Sequence, residues 1–369
     1  MKKKIILSIT VISTLFGCDN IIRSMILSST NIKSENKYCS QPYCKDISKE
    51  DIDNPKIDKP IDLAVSSDGK NVYVTNRSIE SCVKSLKVIP RGYIYKITED
   101  KKISVLKIND NYGYGCNNRE LIESDKNNNL YILKNEFNKN SKHSILKINN
   151  DFNIEKEFNL KKEEQHGYNY IVNQLNISKF DSTITYVQMP YDSIRVGYNQ
   201  NTNKTINKVN ENGSIDTLYI STSYISSFIF EDNKLNFGTS YYEGKYPYTS
   251  INYPKGYYES FKRIVPLEKN LAIRTMKMNS KKEIFALAYT KGVEEINKIY
   301  KIIQDQGFEV FAGSTEAGYK DGNAAEARFN NPSSIDFDAN DNMYVADTGN
   351  NAIRKITPNG DVTTFYKQE

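Results

Sequence analysis

Residues 310–365 read VFAGSTEAGYKDGNAAEARFNNPSSIDFDANDNMYVADTGNNAIRKITPNGDVTTF. Within them the apolar segment Ile335–Phe337 runs into the polar turn DANDN, and the strand that follows has an apolar-aromatic-apolar core ending at Val345. A further strand ends in Lys355-Ile356, and the tight turn PNGD leads into the alternating VTTF. Turn-forming residues between period-2 apolar runs mark antiparallel hairpins. This stretch therefore predicts one sheet of four short strands.

The same order recurs upstream five times. The polar turn and its strand return as SSDGKNVYV (ending at Val74), SDKNNNLYI (Ile132), KFDSTITYV (Val187), EDNKLNF (Phe237) and NSKKEIFA (Ala286). The aromatic position falls at Tyr73, Tyr131, Tyr186, Asn236, Phe285 and Tyr344. Each unit is followed by a strand ending in a basic residue and Ile or Val: Lys96-Ile97, Lys147-Ile148, Lys208-Val209, Arg263-Ile264, Lys301-Ile302 and Lys355-Ile356. Alternation directs the Ile or Val between neighbouring sheets and the Lys or Arg outward. The mean spacing of about 54 residues exceeds that of usual propeller blades, so the excess belongs to loops. The fold class predicted is all-β, a six-bladed β-propeller of four-stranded antiparallel blades over residues 56–369. Blade four fits worst, because Asn236 breaks the aromatic position and only 38 residues separate Arg263 from Lys301.

The run of AG, DG, A-x-F-x-x-P, the D-x-x-x-x-x-Y-V-A-D hairpin and N-x-I-R-K-I in residues 310–365 closely resembles the NHL-repeat family. KPIDLAVSSDGKNVYVTN in the first blade resembles it more distantly, and the four blades between depart from it. The resemblance implies a propeller with a binding role, without implying one ligand.

The N-terminus MKKKIILSITVISTLFGCDN sets three lysines ahead of a short apolar run, as in a secretory signal. Leu15-Phe16-Gly17-Cys18 resembles the lipobox of bacterial lipoproteins, which implies a signal peptide over 1–17 and a lipid on Cys18. Residues 18–55, polar and without apolar periodicity, read as a lipid-anchored flexible tether. The expected location is the cell envelope, on the extracytoplasmic side of a membrane. Losing Lys2, Lys3 and Lys4 leaves 47 of the 50 basic side chains against 45 acidic ones, a balance that gives no electrostatic case for nucleic acid. Four cysteines remain beyond the lipid site, Cys39, Cys44, Cys82 and Cys116, an even number suited to disulfides in an oxidising compartment. Cys82 lies in the first B–C loop and Cys116 in the first D–A connection, so a Cys82–Cys116 bridge is expected. Non-reducing peptide mapping checks this; a free thiol at either position removes it.

With strands A to D running from the channel outward, A–B and C–D turns share one face, and B–C and D–A connections share the other. The first kind are minimal here, whereas Asn76–Gly92, Asn109–Arg119, Pro190–Lys204, Gly238–Glu259 and Gly313–Pro332 are long. Binding residues concentrate on loops held by a rigid scaffold, so the loop-rich face is the expected site. In GTSYYEGKYPYTSINYPKGYYE the side chains Tyr241, Tyr242, Tyr246, Tyr248, Tyr257 and Tyr258 are the ligand-binding candidates, suited to protein, peptide or glycan. Only His143 and His166 occur, which excludes a His-rich zinc site. Asp62 and Asp336 look equivalent on the innermost strands, an equivalence the repeat itself explains. The oxygen spacing of Asp336, Asp338 and Asn340 belongs to a hairpin turn and not to a calcium loop. No nucleophile or metalloprotease motif is present. No catalytic residue, metal or cofactor is assigned. A calcium-type propeller hydrolase such as a lactonase and an envelope assembly scaffold are the alternatives to a binding protein.

Overall fold

In the computed structural model the described residues are 55–76, 93–107, 122–135, 143–160, 170–190, 204–221, 225–239, 248–252, 262–264, 271–290, 296–303 and 306–367. The chain divides into two units, Met1–Asp46 with Ser78–Pro90, and Ile47–Arg77 with Arg91–Glu369. All described residues belong to the second. Cys18, Cys39, Cys44, Cys82 and Cys116 lie outside them.

Six antiparallel sheets form in chain order. Blade 1 holds β1 (Pro60–Val65), β2 (Asn71–Asn76), β3 (Tyr93–Thr98) and β4 (Ile103–Lys107); blade 2 holds β5 (Ile122–Ser124), β6 (Leu130–Asn135), β7 (His143–Ile148) and β8 (Ile154–Leu160). Blade 3 holds β9 (Tyr170–Ile177), β10 (Ile184–Pro190), β11 (Lys204–Val209) and β12 (Ile215–Ser221); blade 4 holds β13 (Ile225–Glu231), β14 (Lys234–Thr239), β15 (Tyr248–Asn252) and β16 (Lys262–Ile264). Blade 5 holds β17 (Leu271–Met278), β18 (Ile284–Thr290), β19 (Lys298–Ile303) and β20 (Gly307–Gly313). Blade 6 holds β22 (Ser334–Phe337), β23 (Met343–Asp347), β24 (Ala352–Ile356) and β25 (Asp361–Lys367), and β21 (Gly322–Asn323) adds a fifth strand on the outer edge of β25. The innermost strands β1, β5, β9, β13, β17 and β22 pack in turn, and β22 returns to β1, closing the ring. This is a β-propeller.

Burial explains the repeat. Six apolar clusters each sit where two consecutive blades meet, the last joining Val65, Val72 and Ile97 of blade 1 to Tyr344 and Ile353 of blade 6. Ile97, Ile148, Val209, Ile302 and Ile356 are buried, while the lysines before them are half-exposed. Those lysines face the aromatic position across the hairpin: Lys355 lies 5.2 Å over the Tyr344 ring and Lys301 5.9 Å over Phe285. The aliphatic stem covers the ring and the charge stays wet. The polar turns are equally determined. Asp338 Oδ1 accepts from the amides of Asn340 and Asn342, and its Oδ2 accepts from Asn342 Nδ2 (2.8 Å) and, at 3.5 Å, the Tyr344 hydroxyl. Asp125 repeats these contacts with Asn127, Asn129 and Tyr131. Both carboxylates are thus consumed by their own hairpins.

Two blades differ from the sequence expectation. In blade 3 the register pairs Thr185 with Lys208, so Thr185 and not Tyr186 takes the aromatic position; its turn is one residue longer than those of blades 2 and 6. In blade 4 the KRI segment is the fourth strand and β15 is the third. Tyr248, expected to bind ligand, is instead a 4% exposed core residue whose hydroxyl donates to Asn236 Oδ1 at 2.6 Å. Burial pushes its pKa up to about 12. Polar Asn236 thus serves a buried tyrosine supplied by the next strand.

Candidate functional site

Adjacent inner strands share no backbone ladder, so side chains must join them. Ser334 Oγ donates to Asp62 Oδ1 at 2.9 Å, and Asp62 Oδ2 accepts from the Ile122 amide at 3.2 Å, linking blades 6, 1 and 2. Gln174 Nε2 donates to the Ile225 carbonyl at 2.9 Å, and Ser227 Oγ accepts from the Met276 amide at 2.9 Å, linking blades 3, 4 and 5. Bulges in β1, β13 and β17 end at Asp62, Ser227 and Thr275, where a bulge re-aims the side chain. The register also corrects the expected equivalence. Asp336 lies opposite Tyr344 and Ala64 opposite Tyr73, so Asp336 matches Ala64, and Asp62 matches Ser334.

One rung nearer the tight turns, charge crosses the channel. Lys277 of blade 5 pairs with Glu123 of blade 2, and the two side chains are 8% and 2% exposed. Lys179 of blade 3 reaches Asp336 of blade 6, with Nζ 2.7 Å from Oδ2 and also donating to the carbonyls of Val65 (3.0 Å) and Phe337. Asp336 Oδ2 accepts the Val65 amide as well, at 2.8 Å. In a ring of six, blades 2 and 5 are opposite, as are 3 and 6. The two lysines therefore brace the ring along two diameters. Burial raises the pKa of Glu123 and the Lys277 ammonium opposes it, while Asp336 and Asp62 raise it further. Burial likewise raises Glu231, whose Oε2 accepts from Ser178 Oγ at 2.7 Å.

These side chains line a pocket with Asn176, Phe180, Ile229 and Met278, whose water-accessible space is about 30 Å³. That is room for one or two waters. Around its rim the A–B turns are tied to one another: the Asp68 amide to Asn128 Oδ1, the Ala339 amide to the Ser67 carbonyl, Ser280 to Asp341, and Lys282 to Asp232. Among the described residues no group of three His, Cys, Asp or Glu is arranged to hold a metal. Glu123 and Asp336 face ammonium groups, Asp62 a hydroxyl and a backbone amide, and Glu231 a hydroxyl, an arrangement of committed donors that does not fit a cation site.

Of the expected ligand-binding tyrosines, Tyr241, Tyr242 and Tyr246 precede β15 in the chain and Tyr257 and Tyr258 follow it; all five lie outside the described residues. β15 separates the two groups, because the connection before it and the one after it leave from opposite ends of the blade. The braces escaped sequence reading because Lys179 looks like a turn residue and Lys277 like an outward-facing one.

Solved structures share this architecture at low identity. A gluconolactonase from Xanthomonas campestris matches with a TM-score of 0.50 and 10% identity, over 79% of this chain and 83% of its own. A second propeller, assigned provisionally as a gluconolactonase, matches with a TM-score of 0.51 and 9% identity, over 85% of this chain and 91% of its own. The likeness is one of fold: a β-propeller. A virginiamycin B lyase from Staphylococcus aureus matches with a TM-score of 0.47 and 15% identity, over 85% of this chain and 86% of its own. No family model matches the chain, and no curated protein matches it in sequence.

Proposed function

We propose that this propeller is a binding protein, held on the extracytoplasmic side of a membrane by lipid on Cys18, that engages a protein, peptide or glycan through its loop-rich end. The observation that carries this reading is the commitment of the channel charges. Asp62, Glu123 and Asp336 hold neighbouring or opposite blades together, and the pocket beside them admits one or two waters. A hydrolytic reading asks those carboxylates to leave their lysines and amides, at the cost of uncovering buried charge. The tied A–B turns also leave elaboration to the other end, where Tyr241, Tyr242 and Tyr246 stand in the connection before β15. The scaffold alternative predicts a contiguous apolar patch. Among the described residues the exposed large apolar side chains are Ile154 on β8, Ile220 on β12, Val310 on β20 and Tyr319 in the connection after β20, spread over several blades.

The purified protein is expected to show saturable binding on a peptide or glycan array, weakened at least tenfold by joint replacement Tyr241→Ala and Tyr242→Ala. It is also expected to show no turnover of a lactone and ester panel with added calcium, manganese or zinc. Metal-stimulated turnover reverses the reading in favour of the lactonase.

A further inference from the structure

Each blade is built from strands consecutive in the chain, from β1–β4 to β22–β25. A stretch of chain therefore leads across every seam between neighbouring blades except the one where blade 6 meets blade 1. Among the described residues no strand of either blade enters the sheet of the other there. Side chains and turns close this seam instead. The Lys59 amide donates to Asn351 Oδ1 at 3.0 Å, and the Ser333 and Thr348 hydroxyls donate to the Pro60 carbonyl at 3.0 and 2.6 Å. Ser334 Oγ meets Asp62 Oδ1 at 2.9 Å, the Val65 amide meets Asp336 Oδ2 at 2.8 Å, and the Ala339 amide meets the Ser67 carbonyl at 2.8 Å. Beside these bonds, the buried side chains of Ile57 and Ala346 lie in the apolar cluster that the two blades share.

Opening any other seam leaves its two edges tethered by a connection, whereas opening this one frees both, so chain entropy favours it. The seam is also held from outside. Lys179, in the A–B turn of blade 3, donates from Nζ to the Val65 carbonyl of blade 1 at 3.0 Å, and to Asp336 Oδ2 (2.7 Å) and the Phe337 carbonyl of blade 6. From this we infer that the propeller opens between blades 6 and 1, and that Lys179 is the latch that holds this seam shut. One ammonium serves acceptors on both edges, so its loss loosens both at once. The Lys277–Glu123 pair joins blades 5 and 2, neither of which is an edge of this seam. Asp336 stands in the wall of the channel pocket, so separating the two edges enlarges a space that otherwise admits one or two waters.

The test places a thiol in a seam by Ala346→Cys, in the blade 6–blade 1 cluster, or by Ala286→Cys, in the blade 4–blade 5 cluster; both alanines are 0% exposed. Labelling of the full chain is followed by peptide mass spectrometry, which separates the introduced thiol from the native cysteines. A buried thiol reacts only when its surroundings open. With Lys179 in place, labelling at 346 is expected to be the faster and to depend weakly on urea, while labelling at 286 follows the steep urea dependence of global unfolding. Lys179→Met is expected to raise the 346 rate at least tenfold relative to the 286 rate. Asp336→Asn, which keeps the side chain's shape and removes its charge, is expected to shift the ratio in the same sense and serves should Lys179→Met fail to fold. Equal rates and urea dependence at the two positions overturn the opening. A ratio unchanged by the substitutions overturns the latch.

Discussion

Replacing Lys277 with methionine is expected to lower the stability of the propeller by roughly 3–5 kcal/mol, the cost of leaving a buried partner uncompensated. For a domain of this size that is a fall of roughly 6–15 °C in melting midpoint. Glu123, 2% exposed, then has no ammonium beside it. Replacing both partners, Glu123→Leu with Lys277→Met, is expected to recover most of the loss, since an apolar pair of similar volume removes both desolvation costs. The pH dependence is specific. Burial, Asp336 and Asp62 all raise the Glu123 pKa, and Lys277 is the group that lowers it. Without the lysine, the folded-state pKa stands further above the unfolded carboxyl value of about 4.3. A carboxyl raised in the folded state loses stability as pH climbs from the unfolded value through the folded one. The Lys277→Met deficit should therefore be smaller at pH 5 than at pH 8. No deficit would show that the brace contributes little, and a deficit equal at both pH values would show that the lysine does not act by offsetting the Glu123 charge.

Replacing Arg354 should have an effect of similar size and a distinct signature. Its guanidinium is fully buried and donates to Asp347 Oδ2 (3.0 Å), the Arg328 carbonyl (3.0 Å), the Lys320 carbonyl (2.8 Å) and Asp321. Asp347 is itself 0% exposed, and burial raises its pKa while Asn350, the Asn330 amide and Arg354 hold it down. Arg354→Met leaves that carboxylate without its cation, at roughly 3–5 kcal/mol. Because the carbonyls of Lys320 and Arg328 are held by the same group, residues 314–333 should also become accessible to trypsin at Lys320 and Arg328. Arg354→Lys should fail to restore protection, since an ammonium cannot reproduce the planar fork that serves four acceptors. Wild-type melting and protease resistance in the lysine variant would refute this account of how Arg354 holds residues 314–333.

The repeat was legible because it is written by local chemistry. An Asx turn, an aromatic two residues later and a Lys-Ile strand are each set within about ten residues, and the structure uses them as the sequence implies in blades 1, 2, 5 and 6. Blade 4 misled because its third strand, YTSIN, carries no basic-Ile ending and sits in a tyrosine-rich stretch that reads as one loop. Blade 3 misled because its tyrosine falls three residues after the residue that closes the turn, Thr183, where blades 1, 2 and 6 place theirs two after. The channel was not legible at all. The Lys277–Glu123 and Lys179–Asp336 partners are 154 and 157 residues apart, and no spacing rule connects opposite blades. What chooses them is ring geometry, which exists only after six sheets have closed.

The central claim is that the channel carboxylates are structural. It is tested most directly by metal analysis of the purified protein, with thermal unfolding before and after chelation and then after calcium addition. The account predicts no stoichiometric divalent ion and a melting midpoint that moves by less than about 1 °C, since binding at 100 times Kd would stabilise by about 2.7 kcal/mol. A stoichiometric ion whose removal lowers the midpoint by several degrees would contradict it, and would mean that the lysines yield the channel to a metal.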